Sequence, residues 1–503
     1  MRRSPTNLLR LTAYLWLWLL VPQLAWAEKT LTLGVQFLPA TRGNPHQNVG
    51  LPGTLPLNAI FDTLTRIGPD GAAGPALATT WEATNQNTWL LTLRRDVVFS
   101  NGEPFNAESV IAAFDYLLSD QGKSETIGTH LARVGVNGAH KRSEHVVEIT
   151  TSVPNAILPI HLDFVRIPAP GHFADLGSDA FALDPIGSGP FKVDEWEDGR
   201  IEFVRNETAW RQPKLDQVKL IQLSDQASRL QGLLSGTLDV AFNVASEDRA
   251  VVEAEGGRLI TYANPSVAYI QAVNTKETPL SDVRVRRALN YAVNKELIVD
   301  VMFGGAVEPA GQIAHPQAFG YNTALNAFPY DPERAKVLLA DAGHADGFTM
   351  VTLMVGGESN IDQAIQQVAA DVARVGVNME IQRTTFAKYL EYMYQTGWPD
   401  PYSAFQMVTS GFDPMHGYRT RSCRWSPAYY CDEAVMPLIE KAERAVDPEE
   451  RRRLVGEVLA YERENPPGIL MWQAPAFDAV AARVTNYKVE ADVLSFDALD
   501  VAD

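Results

Sequence analysis

Cysteine is nearly absent: Cys423 and Cys431 are the only two among 503 residues. A C-x7-C pair alone carries little metal signal, and the histidines, including His46, His161 and His315, show no metal-ligand spacing. No H-E-x-x-H, G-x-S-x-G, G-x-x-x-x-G-K-(S/T) or dinucleotide fingerprint occurs, so the spacings that mark those enzymes and nucleotide binders are missing. Tandem repeats and low-complexity tracts are missing too. Positive charge is scarce, with 43 Lys and Arg against 61 Asp and Glu and a formal net charge of −18. That balance argues against nucleic acid as a partner. Residues 11–21 form an apolar run too short for a comfortable membrane span.

What is present begins with Arg2, Arg3 and Arg10, then that short apolar run, then Ala25-Trp26-Ala27 as an A-x-A cleavage pattern. Residues 1–27 therefore read as a cleaved secretory signal peptide, with a single-span anchor as the alternative. The rest of a twin-arginine motif does not follow Arg2-Arg3, so export in the unfolded state is expected. No cysteine near the cleavage site could carry a lipid. The expectation is a soluble periplasmic protein of 476 residues, with 40 basic and 61 acidic residues and a net charge of −21. Its composition is that of ordinary globular protein, and its length suits two or three domains.

Strand and helix patterns alternate along the chain, which predicts an α/β fold. Residues 30–35 read as the first strand. Asn106 is placed to cap a helix whose apolar residues Val110, Ala113, Phe114 and Leu117 fall at i, i+3, i+4 and i+7. Asp331-Pro332-Glu333 supplies a cap, a first-turn proline and an acid, with Gly343 closing that helix. Further strands are expected at 349–355, 377–382, 402–409 and 468–472, and helices near 362–374, 432–444 and 449–464. One passage, DPIGSGPFKV from Asp184 to Val193, stands apart because two prolines bracket two glycines. Proline fixes φ and glycine permits φ > 0, which predicts one rigid, sharply bent length of backbone.

Taken with Pro75-Ala76-Leu77-Ala78, Trp81, Trp89, Leu93-Arg94, Phe99, Gly102, Pro104-Phe105, Ala107, Val110, Asn206 and Trp210, that passage resembles the P-x-G-T-G-P-(Y/F) signature of the family 5 extracellular solute-binding proteins. These are receptors of peptide, nickel and related ABC importers, and the resemblance covers essentially the whole mature chain. It implies a two-lobed periplasmic binding protein fold of type II, α/β, with an extra subdomain and a hinge between lobes. Lobe I would take residues 28–60, 187–273 and 475–503, the extra subdomain 61–186, and lobe II 274–474. The first crossing between lobes is expected near 269–274. The implied partners are a small-molecule solute, peptide or peptide-like, and an ABC permease in the inner membrane, with no cofactor and no catalysis. Hinge closure in turn calls for a monomer, because the lobes must be free to rotate.

Residues 410–431, SGFDPMHGYRTRSCRWSPAYYC, join an expected central strand to a helix, where open α/β sheets carry ligand loops. Arg419, Arg421, Arg424 and His416 stand there among Phe412, Tyr418 and Trp425. Guanidinium grips a carboxylate or phosphate through two parallel hydrogen bonds, and aromatic rings sandwich apolar groups. A solvated basic loop is the plain alternative. In an exported chain Cys423 and Cys431 are expected to form a disulfide that holds the loop in shape. Asp413 is either a ligand contact or a turn residue. Many peptide-binding members of the resembled family carry an aspartate just before this D-P that grips the peptide α-amine, whereas residues 407–412 here hold no acid. That departure tilts the reading toward a solute with an anionic group. His416 keeps a nickel or metal-chelate receptor open, since the family's nickel receptors use a loop histidine. Arg42 and Asn44 are further candidates, because the family places their loop at the cleft mouth. A periplasmic hydrolase is the alternative from another class.

Overall fold

The computed structural model describes residues 28–502 apart from 48–50, 69–70, 356–358, 399–401, 410–412, 419–420 and 491–492. The expected signal segment lies outside the described residues. Ten strands form one mixed sheet, running from Val377–Thr384 through Phe348–Val355, Tyr402–Thr409, Arg258–Ala272, Gly468–Val480, Val240–Ala241, Thr30–Val35, Gln217–Gln222 and Arg200–Arg205 to Phe191–Glu197. The alternation of Thr30–Val35 puts Leu31, Leu33 and Val35 into a core with Phe191, Phe203, Val218 and Leu220. At the other end of the sheet Met350, Val368, Val377 and Ile469 form a second core with the helices Val283–Ala292 and Pro332–Asp341. Asp331 caps the latter helix as its sequence predicts, accepting the Arg334 N–H at 2.9 Å.

The two halves are joined through Arg258–Ala272 and Gly468–Val480, at 15 and 13 residues the longest strands present. These hinge strands are antiparallel throughout: residues 258–263 pair with 475–480 on the lobe I side, and 267–271 with 468–473 on the lobe II side. Before the stretch 269–274, where the crossing is expected, the pairing of these strands shifts register between Ala263 and Val267. The apolar run that follows has a strand on each side, so the ladder continues past that shift.

A separate four-stranded antiparallel sheet, ordered Ala78–Asn85, Thr88–Leu93, Val146–Thr151 and Val136–Ser143, packs on the helix Ala107–Leu118. Asn106 caps that helix, accepting the Glu108 N–H at 2.9 Å. The proline and glycine passage packs against residues 59–62 and Ser100. Gly187 and Gly189 do not take positive φ, contrary to the reason the sequence suggested for them. They are needed for room: a Cβ on Gly187 would lie 2.1 Å from the Ile60 carbonyl oxygen, and one on Gly189 2.4 Å from that of Ala59. The Gly189 N–H donates to Ile60 O at 2.8 Å, and the Ser188 hydroxyl donates to Asp62 at 2.9 Å. Buried Asp62 also accepts from Trp210 Nε1 at 2.8 Å and from Arg211, whose far nitrogen reaches Asp497 at 2.6 Å. The residues that carry the family resemblance here build a joint between segments and have their hydrogen bonds filled by one another.

Candidate functional site

On the lobe II side the site begins beyond Thr409, at the end of a strand that lies beside the first hinge strand. Asp413 Oδ1 accepts the Met415 N–H at 2.9 Å and Oδ2 pairs with Arg451 at 2.5 Å, with the two side chains 0% and 5% exposed. The turn role is therefore the one its contacts fill. Tyr418 is buried on the same side and donates its hydroxyl to Glu462 at 2.5 Å. Burial holds the Tyr418 pKa well above its ordinary value, and the Glu462 carboxylate works the same way.

Arg421 follows, drawn inward and 2% exposed. Its Nε donates to Gly417 O at 3.2 Å, and its guanidinium carbon stands 4.9 Å from the Tyr418 ring centre and 5.6 Å from that of Tyr269 on the first hinge strand. Nη1 and Nη2 have no hydrogen-bond partner among the described residues. Burial opposes its charge, but Tyr269, Glu462 and Tyr418 outweigh burial and hold its pKa above the usual arginine value. It is thus a fixed cation with both terminal donors unfilled.

The other expected residues of this segment are placed differently. Arg424 has its side chain 49% exposed and pairs with Glu443 at 3.0 Å. Half-buried Trp425 donates Nε1 to Met393 O at 3.0 Å. Cys423 and Cys431 are bonded, with Cα atoms 4.3 Å apart. Asn274 fixes the end of that loop, donating to Cys431 O and accepting from Cys431 N, both at 2.8 Å. Phe412 and Arg419 lie outside the described residues, as does the side chain of His416.

The candidates Arg42 and Asn44 make contacts of another kind. Asn44 is buried; its Nδ2 donates to Ser178 at 3.0 Å and its Oδ1 accepts the His46 N–H at 2.9 Å. Ser178 and Tyr116 in turn donate to Glu125 at 2.8 and 2.5 Å. Arg42 takes φ of 49° and reaches Trp196 O at 3.3 Å and Asp198 at 3.9 Å. The structure thus ties Arg42 to Trp196 and Asp198, and Asn44 to Ser178 of the subdomain. Among the described residues neither is paired with Arg421.

His46 is enclosed between Tyr116 and Phe173, with ring centres 5.2 and 5.4 Å away. Burial pushes its pKa down to about 3, with the charge of Arg166 acting in the same direction. The unfolded chain therefore takes up a proton that the fold excludes, between the ordinary histidine value and about 3. Stability from this group is complete above that window and falls with pH inside it, by about 1.4 kcal/mol per pH unit. His315, pushed down to about 4 by burial, has the same sign, so the two must be separated by mutation. His46→Phe keeps a ring between Tyr116 and Phe173 and removes the proton. Denaturant unfolding at pH 7.5 and 4.5 should show a smaller acid loss in this variant. Equal losses in variant and parent would refute the assignment.

Two contacts that the sequence does not announce join the subdomain to lobe II. Arg133 stands 5.3 Å over the Trp425 ring, and the Ala156 N–H donates to Glu443 O at 3.2 Å. The partners of Arg421 are equally silent in the sequence. Tyr269 looks like any strand aromatic, and Glu462 like one more charge in the run YERE.

The model of the bacterial extracellular solute-binding proteins, family 5 Middle, matches residues 72–420, more than half of the chain. The chain is 26% identical over 442 residues to the glutathione-binding protein GsiB of Salmonella choleraesuis strain SC-B67, covering 82% of this chain and 83% of that protein. It is 25% identical over 471 residues to the di/tripeptide-binding protein 2 of Pseudomonas aeruginosa strain UCBPP-PA14, covering 86% and 87%. Among solved structures, the periplasmic binding protein DppA from Helicobacter pylori, in complex with the peptide STSA, superposes with a TM-score of 0.78 at 20% identity, covering 94% of this chain and 98% of that one.

Proposed function

Because the chain belongs to family 5 of the bacterial extracellular solute-binding proteins, a family of solute receptors, we propose that it is the periplasmic receptor of an ABC importer. It captures a peptide or peptide-like solute and delivers it to the permease in the inner membrane. Relatives described as binding glutathione, di- and tripeptides support this solute class. The observation that carries the reading is the hinge itself: two lobes share one strand pair with a register shift at its centre, and a solute touching both lobes favours the closed state.

Arg421 is the residue assigned here to an anionic group of the solute. Of the described arginines between 413 and 431 it alone has both terminal nitrogens unfilled, whereas Arg424 is held by Glu443. A buried donor without an acceptor costs roughly 1 to 3 kcal/mol, which a carboxylate would recover. The mature protein acts as a monomer, because a large self-interface across the cleft would block closure.

Calorimetry with glutathione and a panel of di- and tripeptides, paired with small-angle scattering, tests the reading. At least one of these should bind near micromolar, about 8 kcal/mol of binding free energy, with a smaller radius of gyration at saturation. Absence of binding across the panel with an unchanged radius would overturn it. The bound peptide should also be recovered at its original mass, and a shortened product would favour a hydrolase instead.

A further inference from the structure

We propose that Arg133, Trp425 and Glu443 form a latch between the subdomain and lobe II that holds the receptor closed, independently of what the solute is. The hinge strands tie the lobes together at the crossing. Closure needs a second point of contact away from it, and the Arg133–Trp425 and Ala156–Glu443 contacts join parts of the chain that share no strand.

Both faces of the latch are held rigid. Asn155 accepts Trp89 Nε1 on its carbonyl at 3.1 Å, donates to Val134 O at 3.0 Å and accepts the Ile157 N–H at 3.2 Å, which fixes the direction of the Ala156 N–H between them. Arg133 is exposed at the end of the helix Thr126–Arg133. Opposite, the helix Met436–Arg444 offers the Glu443 carbonyl in its last turn, where helix carbonyls lack an intrahelical donor. The Glu443 carboxylate holds Arg424, and the disulfide with Asn274 holds the loop carrying Trp425.

The magnitudes suit a latch that opens. A cation–π contact at an exposed arginine and a single backbone hydrogen bond each alter an equilibrium by a factor of roughly 2 to 10. Together they bias closure without making it permanent. Arg133 is accordingly a positioning residue: it acts on solute retention through the closed state.

Residue-resolved hydrogen exchange on the full mature chain tests this, because the Ala156 amide reports the contact directly. In Arg133→Ala that amide should exchange roughly threefold faster or more, while Arg133→Lys, which keeps a cation over the ring, stays within about twofold of the parent. Cys423→Ser with Cys431→Ser, which frees the loop presenting Trp425, should also speed Ala156. Amides of Thr88–Leu93 and Val146–Thr151 should not change in any of these variants. Unaltered exchange at Ala156 in Arg133→Ala overturns the latch. So does equal acceleration in the lysine variant, or loosening of those strands in step with Ala156, which would mean that the subdomain is merely unfolding.

Discussion

Gly189→Ala should lower stability by about 3 kcal/mol or more, and Gly187→Ala by at least as much. An added Cβ would sit 2.4 Å from the Ala59 carbonyl oxygen at one site and 2.1 Å from that of Ile60 at the other. Those oxygens belong to the backbone, so no rotamer can relieve the clash. The peptide groups there are also engaged, since Gly189 N donates to Ile60 O and Gly187 O accepts from Ser100 N. Gly102→Ala is the control: Gly102 has φ of +91° but open space around it, so the variant meets only the backbone cost of about 1 kcal/mol. Urea unfolding followed by tryptophan fluorescence ranks the three. If Gly102→Ala proves as damaging as Gly189→Ala, the close approach is not what requires glycine.

At Arg421 the expected loss is in binding. Truncating one partner of a buried charge pair typically costs roughly 2 to 5 kcal/mol, so Arg421→Ala should weaken the peptide identified by calorimetry by roughly thirtyfold or more. That variant also leaves buried Glu462 without its cation and can lose stability for that reason. Arg421→Lys separates the effects: it keeps a charge near Glu462 but loses the planar fork that matches a carboxylate. It should remain folded by circular dichroism and still bind about tenfold more weakly or worse. Arg424→Ala, at a half-exposed ion pair, should bind within about twofold of the parent. A folded Arg421→Lys that also binds within twofold removes Arg421 from the solute site.

Locally determined features were legible in the sequence. Asn106 and Asp331 cap the helices their spacing predicts, and Thr30–Val35 is the strand its alternation describes. These depend on neighbours within a few residues. The candidate site depends on residues far apart in the chain, which the sequence does not bring together. Arg421 is named there beside Arg419 and Arg424, and nothing in the sequence separates it from Arg424 until Tyr269, more than a hundred positions earlier, and Glu462 are placed around it. Asn44 and Arg42 were candidates because the family places their loop at the cleft mouth, and the contacts with Ser178 and Trp196 that hold them are not written in the loop itself. Gly187 and Gly189 show the same limit, since a glycine kept for space and one kept for positive φ are written with the same letter.

The hinge also sets an order of events in the making of the protein. Among the described residues, 258–263 find a strand neighbour only in 475–480, and Val240–Ala241 pairs on one side with 479–480. Synthesis runs from the N-terminus, so both stretches wait for these partners until residues 475–480 have emerged. This part of the sheet cannot be completed while the residues between 272 and 468 are being made. A chain cut short before 475 would leave the centre of its sheet open, with 258–263 unpaired and Val240–Ala241 short of a neighbour.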